Sequence, residues 1–444
     1  MKFFCKLFLV IFFCFSVNSN EYILMDDETE TFLQSIVCKI KEAIKYEPEI
    51  KIYISSSQVL NASAIQSGDI VINAGAILQC KNVEELIAIL AHEVGHIAGS
   101  HIASYISNQP DFMKAGLVTM LIGATAAIFA KDPTPFAAGF MGGQSMATGM
   151  ALGKMRQKEN MADSKAAQAV KNLKWPVFKG FVSIHEKLGS NSGVYNVYLS
   201  THPHSEDRIS KFRSFQQADE GKTFPEENIK LLLKFQKKFE TIQAKIRALI
   251  WPTNTSLSFY ANPKDNNEKF AKAIALYRSG QYEKSVKLID ELIANHDEDT
   301  DLGYYMEIKS MCLINMKQCK NAAISAWDIL QNDKKIKIHR DLAIIYADAI
   351  VDGELGAPHI ERSIKLLKKV LFKNKHDPSA TNLLGQLYSL GNQPEKASLY
   401  AAEFASIIGD HEMAIHHAKK ALSAKDQITR QRAMDILSSE KSNK

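Results

Sequence analysis

Two histidines four residues apart, His92 and His96, set the strongest requirement on the structure of this chain. They are the first and last residues of the sequence HEVGH. The apolar residues before it, with Asn82 as N-cap, predict a helix over residues 83–104. Residues four apart share one face of a helix, so both imidazoles can reach one metal ion. Two histidines with Glu93 between them are typical of a zinc site in which the glutamate is the general base. The alternative is a surface helix with two histidines that bind nothing.

A catalytic zinc site usually has three protein ligands and leaves a fourth position for water. His101 follows His96 by five residues, one short of the spacing that would suit a third ligand, so we expect it to be structural or to contact a ligand. Glu159 is the better candidate, because Asp163 follows it by one turn of a predicted helix. One carboxylate can bind the metal while the other accepts a hydrogen bond from a ligand histidine. The predicted ligands are His92, His96 and Glu159.

A third group of chemically active residues is formed by His202, Pro203 and Arg208. Pro203 restricts His202 to extended conformations and so directs its imidazole. Arg208 begins the next predicted helix. If both side chains reach the metal site, they can stabilise the oxyanion that forms when water attacks a peptide carbonyl. The alternative is an ordinary loop followed by a helix start.

The N-terminus differs from the rest of the chain. Lys2 and Lys6 accompany an apolar run over residues 7–17, which is too short to span a membrane as a helix. Small residues around Ser19 complete the pattern of a cleaved secretory signal peptide over residues 1–19. The alternative is an uncleaved membrane anchor. An oxidising compartment would allow the remaining cysteines to form disulfides, and free thiols are the alternative: Cys38, Cys80, Cys312 and Cys319.

Residues 115–153 form a second apolar stretch. Glycine, alanine, serine and threonine dominate its second half, where leucine and isoleucine are scarce. This composition favours helices that are buried, that cover the active site, or that touch a membrane surface. The alternative is a transmembrane hairpin, because glycines at GxxxG spacing also occur in membrane helix pairs.

Beyond residue 267 amphipathic helices alternate with short breaks. The sequence ALYRSG at 275–280 returns as QLYSLG at 386–391, which corresponds to three repeats of about 37 residues. This pattern predicts tetratricopeptide-like helix pairs that stack into a solenoid with a binding face. The turn residues of the middle units are degenerate, at 317–318 and at 352–356. An unrelated helical bundle is the alternative.

The composition is that of an ordinary globular chain. Of 444 residues, 46% are hydrophobic, which excludes a disordered protein. The net charge of +5 is small for this length, so no nucleic-acid partner is expected. The predicted fold class is mainly α: a zincin-like α+β metallopeptidase domain with few short strands, followed by an all-α tetratricopeptide-repeat solenoid. The predicted boundaries are a signal peptide over 1–19, the peptidase domain over 20–215, a helical linker over 216–266 and the repeat domain over 267–444.

In this order, HEVGH, Glu159 with Ala162-Asp163, and His202-Pro203 with Arg208 resemble the motifs of the M48 family of zinc metallopeptidases. The resemblance covers roughly residues 25–215. It departs from the family pattern at Ser164-Lys165, where the family often has arginine and glycine.

The resemblance implies one Zn²⁺ per chain, held by His92, His96 and Glu159, with Glu93 as general base. Asp163 and His101 would lie next to the ligands. His202 and Arg208 would stabilise the oxyanion, or His202 would be the fourth ligand of a resting, self-inhibited state.

With the signal peptide and the repeats, the resemblance further implies an endopeptidase of the Gram-negative periplasm that acts in quality control of outer-membrane proteins. The repeats would bind unfolded or misassembled outer-membrane proteins or the outer-membrane assembly machinery, and residues 115–153 would be a possible membrane contact. The alternatives are a chaperone-like repeat scaffold with little proteolysis and a membrane-embedded M48 protease.

Overall fold

The computed structural model describes residues 21–99, 145–190, 202, 206–296, 300–331 and 339–442. The predicted signal peptide, His101, Pro203 and most of the apolar stretch 115–153 lie outside these residues. The chain forms two compact units, and the boundary between them along the sequence lies between Ile250 and Trp251. Among the described residues, no helix combines the length and the apolar character that crossing a membrane requires.

A small mixed sheet lies at the start of the first unit. Its strands are β1 (Ile23–Leu24), β2 (Ile52–Ser55), β3 (Ala62–Ala64) and β4 (Ile70–Asn73), in the spatial order β1-β2-β4-β3. β2 and β4 pair in parallel, whereas β1 and β3 add antiparallel strands at the two edges. The first and third residues of β2 and of β4 are buried, so one face of the sheet packs on the helices.

The rest of the described first unit is mainly helical. They are α1 (Asp27–Ala43), α2 (Ala74–Gln79), α3 (Val83–Ala98), α4 (Ser145–Leu173), α5 (Phe178–Ser190), α6 (Glu206–Asp219) and α7 (Glu226–Ile250). α3 is the central helix, and nearly all of its side chains are buried. It begins as the sequence predicts, because the Asn82 side chain accepts a hydrogen bond from the Glu85 N–H at 3.0 Å.

α3 and α4 approach each other closely at Gly95 and Ala162. A Cβ atom at position 95 would lie 2.4 Å from the carbonyl oxygen of Ala162, a distance that real Cβ atoms do not adopt. The glycine of HEVGH therefore has a packing role. It allows the helix that carries His92 and His96 to contact the helix that carries Glu159.

Replacing Gly95 with alanine is expected to push the two helices apart. Overpacking of this kind costs about 1–3 kcal/mol of unfolding free energy. Because Glu159 lies one turn from Ala162, we also expect weaker zinc binding, measured by competition with a chelating dye. Gly356→Ala is the matched control, since a Cβ there meets open space. Equal zinc affinity of Gly95→Ala and the wild type would contradict this packing role.

α7 is part of the first unit, although the sequence predicts a linker over 216–266. The Gln236 side chain accepts a hydrogen bond from the Val83 N–H at 2.8 Å, at the first residue of α3. The buried Lys245 ammonium pairs with Asp26 at 2.5 Å and with Glu28 at 2.9 Å. The boundary after Ile250 therefore differs from the expected one, because α7 buries an apolar face and a lysine against the peptidase core.

The Glu28 carboxylate makes folding sensitive to acid. Burial alone would raise its pKa, but Lys245 and Lys238 outweigh burial and lower the pKa from 4.5 to about 2. A lowered folded-state pKa stabilises the fold above the unfolded value, and this stabilisation is lost as the pH falls from about 4.5 to about 2. The shift corresponds to about 3 kcal/mol.

Urea unfolding of the wild type and of Glu28→Gln measures this contribution. We expect the difference in unfolding free energy between them to be constant at neutral pH and to shrink as the pH falls from 4.5 towards 2. A difference that stays constant over the whole range would contradict this assignment.

Helix pairs build the second unit. After the short helix α8 (Thr253–Phe259), the helices are α9 (Asn266–Arg278), α10 (Tyr282–Ala294), α11 (Leu302–Asn315), α12 (Cys319–Leu330), α13 (Arg340–Asp352), α14 (Ala357–Lys373), α15 (Pro378–Leu390), α16 (Pro394–Ile407), α17 (His411–Ala421) and α18 (Gln427–Ser442). Consecutive helices pack on each other, as expected for stacked helical repeats. The all-α repeat architecture predicted for this part of the chain is confirmed.

A left-handed residue recurs in the turns between paired helices. Its positions are Gly280, Lys317, Glu354 and Asn392, with φ between 47° and 78°. In each turn the next N–H donates to the carbonyl five residues earlier, at 2.8–3.0 Å. The middle repeats, whose turn residues look degenerate in the sequence, therefore keep the same turn.

The four cysteines among the described residues are unbridged. Cys38 is partly exposed, whereas Cys80, Cys312 and Cys319 are buried. Burial raises the pKa of Cys312 to about 11, so this thiol stays protonated at neutral pH.

Candidate metal centre

Four side chains that could bind a metal converge in the first unit. They are His92 and His96 of α3, Glu159 of α4, and His202. His92, Glu159 and His202 are buried, with 4%, 4% and 6% of their surface exposed, and His96 is half-buried. The fold therefore brings together side chains that are as many as 110 positions apart in the sequence.

The ligand atoms lie at the separations that a tetrahedral metal ion requires. His92 Nε2 is 3.0 Å from His96 Nε2 and 3.2 Å from His202 Nδ1. Glu159 oxygens lie 3.2 Å from His92 Nε2, 3.2 Å from His96 Nε2 and 3.3 Å from His202 Nδ1. Zinc bonds of 2.0–2.1 Å in a tetrahedron place ligand atoms about 3.3 Å apart. Three imidazoles and one carboxylate are also a donor set that suits zinc, so the residues fit this ion.

Asp163 and Arg208 lie directly behind the ligands. Asp163 Oδ1 is 2.9 Å from His92 Nδ1, so the Nδ1–H donates to the carboxylate and Nε2 is left to face the metal. The Arg208 guanidinium donates to both Asp163 oxygens, at 2.7 and 2.9 Å, and lies 2.9 Å from Glu159. This buried network fixes the direction of one histidine and one carboxylate of the site.

The electrostatics of the site favour a cation. Burial alone would lower the pKa of His92, but the carboxylates of Glu159 and Asp163 outweigh burial and raise this pKa to about 10. Burial would raise the pKa of Glu159, yet the charges of His202 and His92 hold it well below its usual range. Burial, followed by the charge of His92, lowers the pKa of His96. The two carboxylates therefore create a negative electrostatic potential at His92, and a bound cation would be stabilised by it.

Glu93 lies beside the four ligand atoms and is fully buried. Its Oε2 accepts a hydrogen bond from the Ala64 N–H of β3 at 2.8 Å. Its Oε1 makes no hydrogen bond to any described residue and lies 3.6 Å from His202 Nε2. One oxygen is thus anchored to the sheet while the other faces the metal site, as a general base requires.

The structure brings together the described residues that the sequence predicts for the metal site. It assigns Arg208 a different role from the predicted one. The sequence predicts that Arg208 stabilises an oxyanion. Its guanidinium instead contacts the carboxylates of Asp163 and Glu159, so the geometry favours a positioning role. His202 lies with its Nδ1 at the fourth corner of the tetrahedron.

Two contacts of the site escape sequence reasoning. The Ala64 N–H that anchors Glu93 belongs to an edge strand, and a backbone donor leaves no residue-type signal. The motif HEVGH contains Gly95 but does not show which segment packs against it. The signal that could have been used is the glycine itself, since a glycine within an apolar helix indicates that another backbone approaches closely.

Comparison with known proteins agrees with this geometry. Residues 27–216 match Peptidase family M48. This region is therefore an M48 peptidase domain, and the chain that carries it is a metalloprotease.

Over 371 residues, which are 82% of this chain and 72% of the relative, the chain is similar to the beta-barrel assembly-enhancing protease of Yersinia pestis, with 23% identity. The protein of the same name from Escherichia coli K12 is 20% identical over 389 residues, 84% of this chain and 74% of the relative. The solved structure of YrrB, described as a TPR protein with an unusual peptide-binding site, covers 41% of this chain and 91% of its own, with 12% identity and a TM-score of 0.32. The repeat assignment rests on the helix pairs and their turns rather than on that likeness.

Proposed function

We propose that this chain is a zinc-dependent endopeptidase, with His92, His96 and Glu159 as the protein ligands of the catalytic ion. The observation that supports this most is the set of ligand-atom separations of 3.0–3.3 Å beside a buried glutamate. When bound, zinc lowers the pKa of a water molecule and polarises the scissile carbonyl.

The residues of this chain supply the proton transfers. Glu93 Oε1 accepts the proton of the attacking water and later delivers it to the leaving amine. The Ala64 N–H holds the other oxygen, so the carboxylate does not need to be oriented during the reaction. Asp163 and Arg208 keep His92 and Glu159 in place.

In this proposal His202 is a fourth protein ligand that closes the site. Four protein ligands are typical of closed zinc sites, whereas a catalytic site needs one open position. We therefore assign His202 to the fourth corner of a resting state, from which it moves away before a peptide is cleaved.

His202→Ala tests this assignment. We expect cleavage of an unfolded protein by this variant to rise several-fold above that of the resting wild type, because the fourth position is open. A loss of about 10²–10³-fold in kcat would instead identify His202 as an oxyanion donor and contradict the resting-state role. His376→Ala, at an exposed histidine of the repeats, is the control and should leave cleavage unchanged.

The cellular setting follows by analogy with the two relatives named as beta-barrel assembly-enhancing proteases. We infer an exported, periplasmic enzyme that acts on misassembled outer-membrane proteins. The repeats would bind these clients or the machinery that assembles them, since helical repeats present extended binding surfaces.

Cleavage of an unfolded β-barrel protein, with and without a chelator, tests the proposed activity. We expect cleavage that stops on chelation and returns on addition of zinc. Suppression of client aggregation without any cleavage, in the presence of zinc, would favour the chaperone-like scaffold and overturn the endopeptidase proposal.

A further inference from the structure

The outer face of α14 carries an unusual combination of lysines and an exposed phenylalanine. Phe372 is 87% exposed, more than any other large apolar side chain among the described residues. Residues 363–376 contain five lysines and no acidic residue. We call the exposed set Lys365, Lys369 and Phe372 the basic stripe.

The stripe is a continuous surface because its residues recur at helical spacing. Lys365, Lys369 and Phe372 are separated by four and three residues, so they share one face of α14. The opposite face buries Ser363, Leu367 and Val370 within the repeat unit. The stripe therefore points away from the packed side of the helix.

Neighbouring cations of α14 are already engaged, which makes the stripe distinct from them. The Arg362 guanidinium stacks over the Trp327 ring at 5.0 Å. The Lys368 ammonium lies 5.7 Å from the centre of the Tyr388 ring, and its hydrogen bond to that side chain raises the pKa of Lys368. These contacts account for Arg362 and Lys368 as packing residues. Within the part of the chain that the structure describes, Lys365 and Lys369 make no such ring contact.

The side chains of the stripe favour a negatively charged partner that does not need a preformed pocket for the phenylalanine ring. Lysine ammoniums on flexible stems adapt to phosphates at variable positions. A single protruding aromatic ring inserts readily into the boundary between headgroups and acyl chains, whereas a folded acidic protein would need a matching cavity. The same face of a second copy would present the same positive charge and be repelled.

We propose that the basic stripe of α14 docks the repeat unit onto an anionic phospholipid surface. Phe372 enters the interfacial layer, and Lys365 and Lys369 contact lipid phosphates. This docking is independent of the peptidase site, and it is distinct from any membrane contact of residues 115–153.

Co-sedimentation of the full chain with vesicles tests the proposal. We expect binding to vesicles of equal parts phosphatidylcholine and phosphatidylglycerol, no binding to phosphatidylcholine alone, and weaker binding as salt rises. Lys365→Glu/Lys369→Glu and Phe372→Ser should each lower the partition coefficient at least about tenfold. The matched control is Lys419→Glu/Lys420→Glu, which changes the net charge equally at two exposed positions of α17 and should keep most of the binding.

A fluorescence measurement locates the contact. The chain has three tryptophans of its own, so the emission of the wild type is subtracted from that of Phe372→Trp. The difference should be blue-shifted only with the anionic vesicles, since the indole leaves water on docking. Failure of the wild type to bind anionic vesicles would overturn the proposal, and so would an equal loss in the control variant or an unshifted Phe372→Trp emission. Binding to polyglutamate but not to vesicles would replace the lipid surface with an acidic protein.

Discussion

Glu93→Gln is expected to lower kcat for peptide cleavage by about 10²–10⁴-fold while zinc stays bound. Glutamine keeps the shape of the side chain and can still accept the hydrogen bond from the Ala64 N–H. It cannot accept a proton from the attacking water at neutral pH. The measurement is the cleavage rate of an unfolded client, together with zinc content by atomic absorption.

Glu84→Gln is the matched control for this variant. It makes the same chemical change on the same helix, at the first turn and away from the ligands. We expect wild-type cleavage from this control. Zinc-dependent cleavage by Glu93→Gln at the wild-type rate would remove Glu93 from the mechanism.

Glu159→Ala is expected to lose zinc. A protein ligand contributes more than its outer partners, whose removal typically costs 10–100-fold in metal affinity, so we expect a loss of more than about 100-fold. Isothermal titration with zinc measures the effect. Because the variant also deprives buried Arg208 of one carboxylate, circular dichroism must show that the domain is still folded.

Asp163→Asn provides the comparison that separates a ligand from a positioning residue. It removes the charge that holds the His92 Nδ1–H, but it leaves the four ligand atoms in place. We expect zinc affinity to fall by about 10–100-fold and the stoichiometry to stay at one. An unchanged zinc stoichiometry and affinity in Glu159→Ala would exclude Glu159 as a ligand.

Much of the candidate site follows from local periodicity. His92, Glu93 and His96 share a helix that the apolar residues and Asn82 already predict, and a helix fixes which side chains share a face. The same rule places Asp163 one turn after Glu159. The repeat period of about 37 residues likewise indicates helix pairs, because a unit of that length holds two short helices and their turns.

Other features depend on contacts between distant segments. The approach of α3 and α4 at Gly95 and Ala162 brings Glu159 to the histidines, and it depends on the packing of two surfaces. Arg208 could have faced a substrate, and only the fold shows that two carboxylates hold it. The sequence of α7 is that of a long helix between two domains and so predicts a linker, whereas its buried apolar face joins it to the peptidase unit.

The sequence alone thus determined the residue types of the candidate metal centre, the helices that carry them and the two-part organisation of the chain. These properties depend on short-range spacing, which a helix converts directly into a shared face. The tertiary structure decided the position of His202 beside the other three candidate ligands, the backbone anchor of Glu93 and the exposed stripe of α14. These features depend on which segments, far apart in the chain, contact each other and which surfaces stay exposed. A local sequence pattern does not determine either.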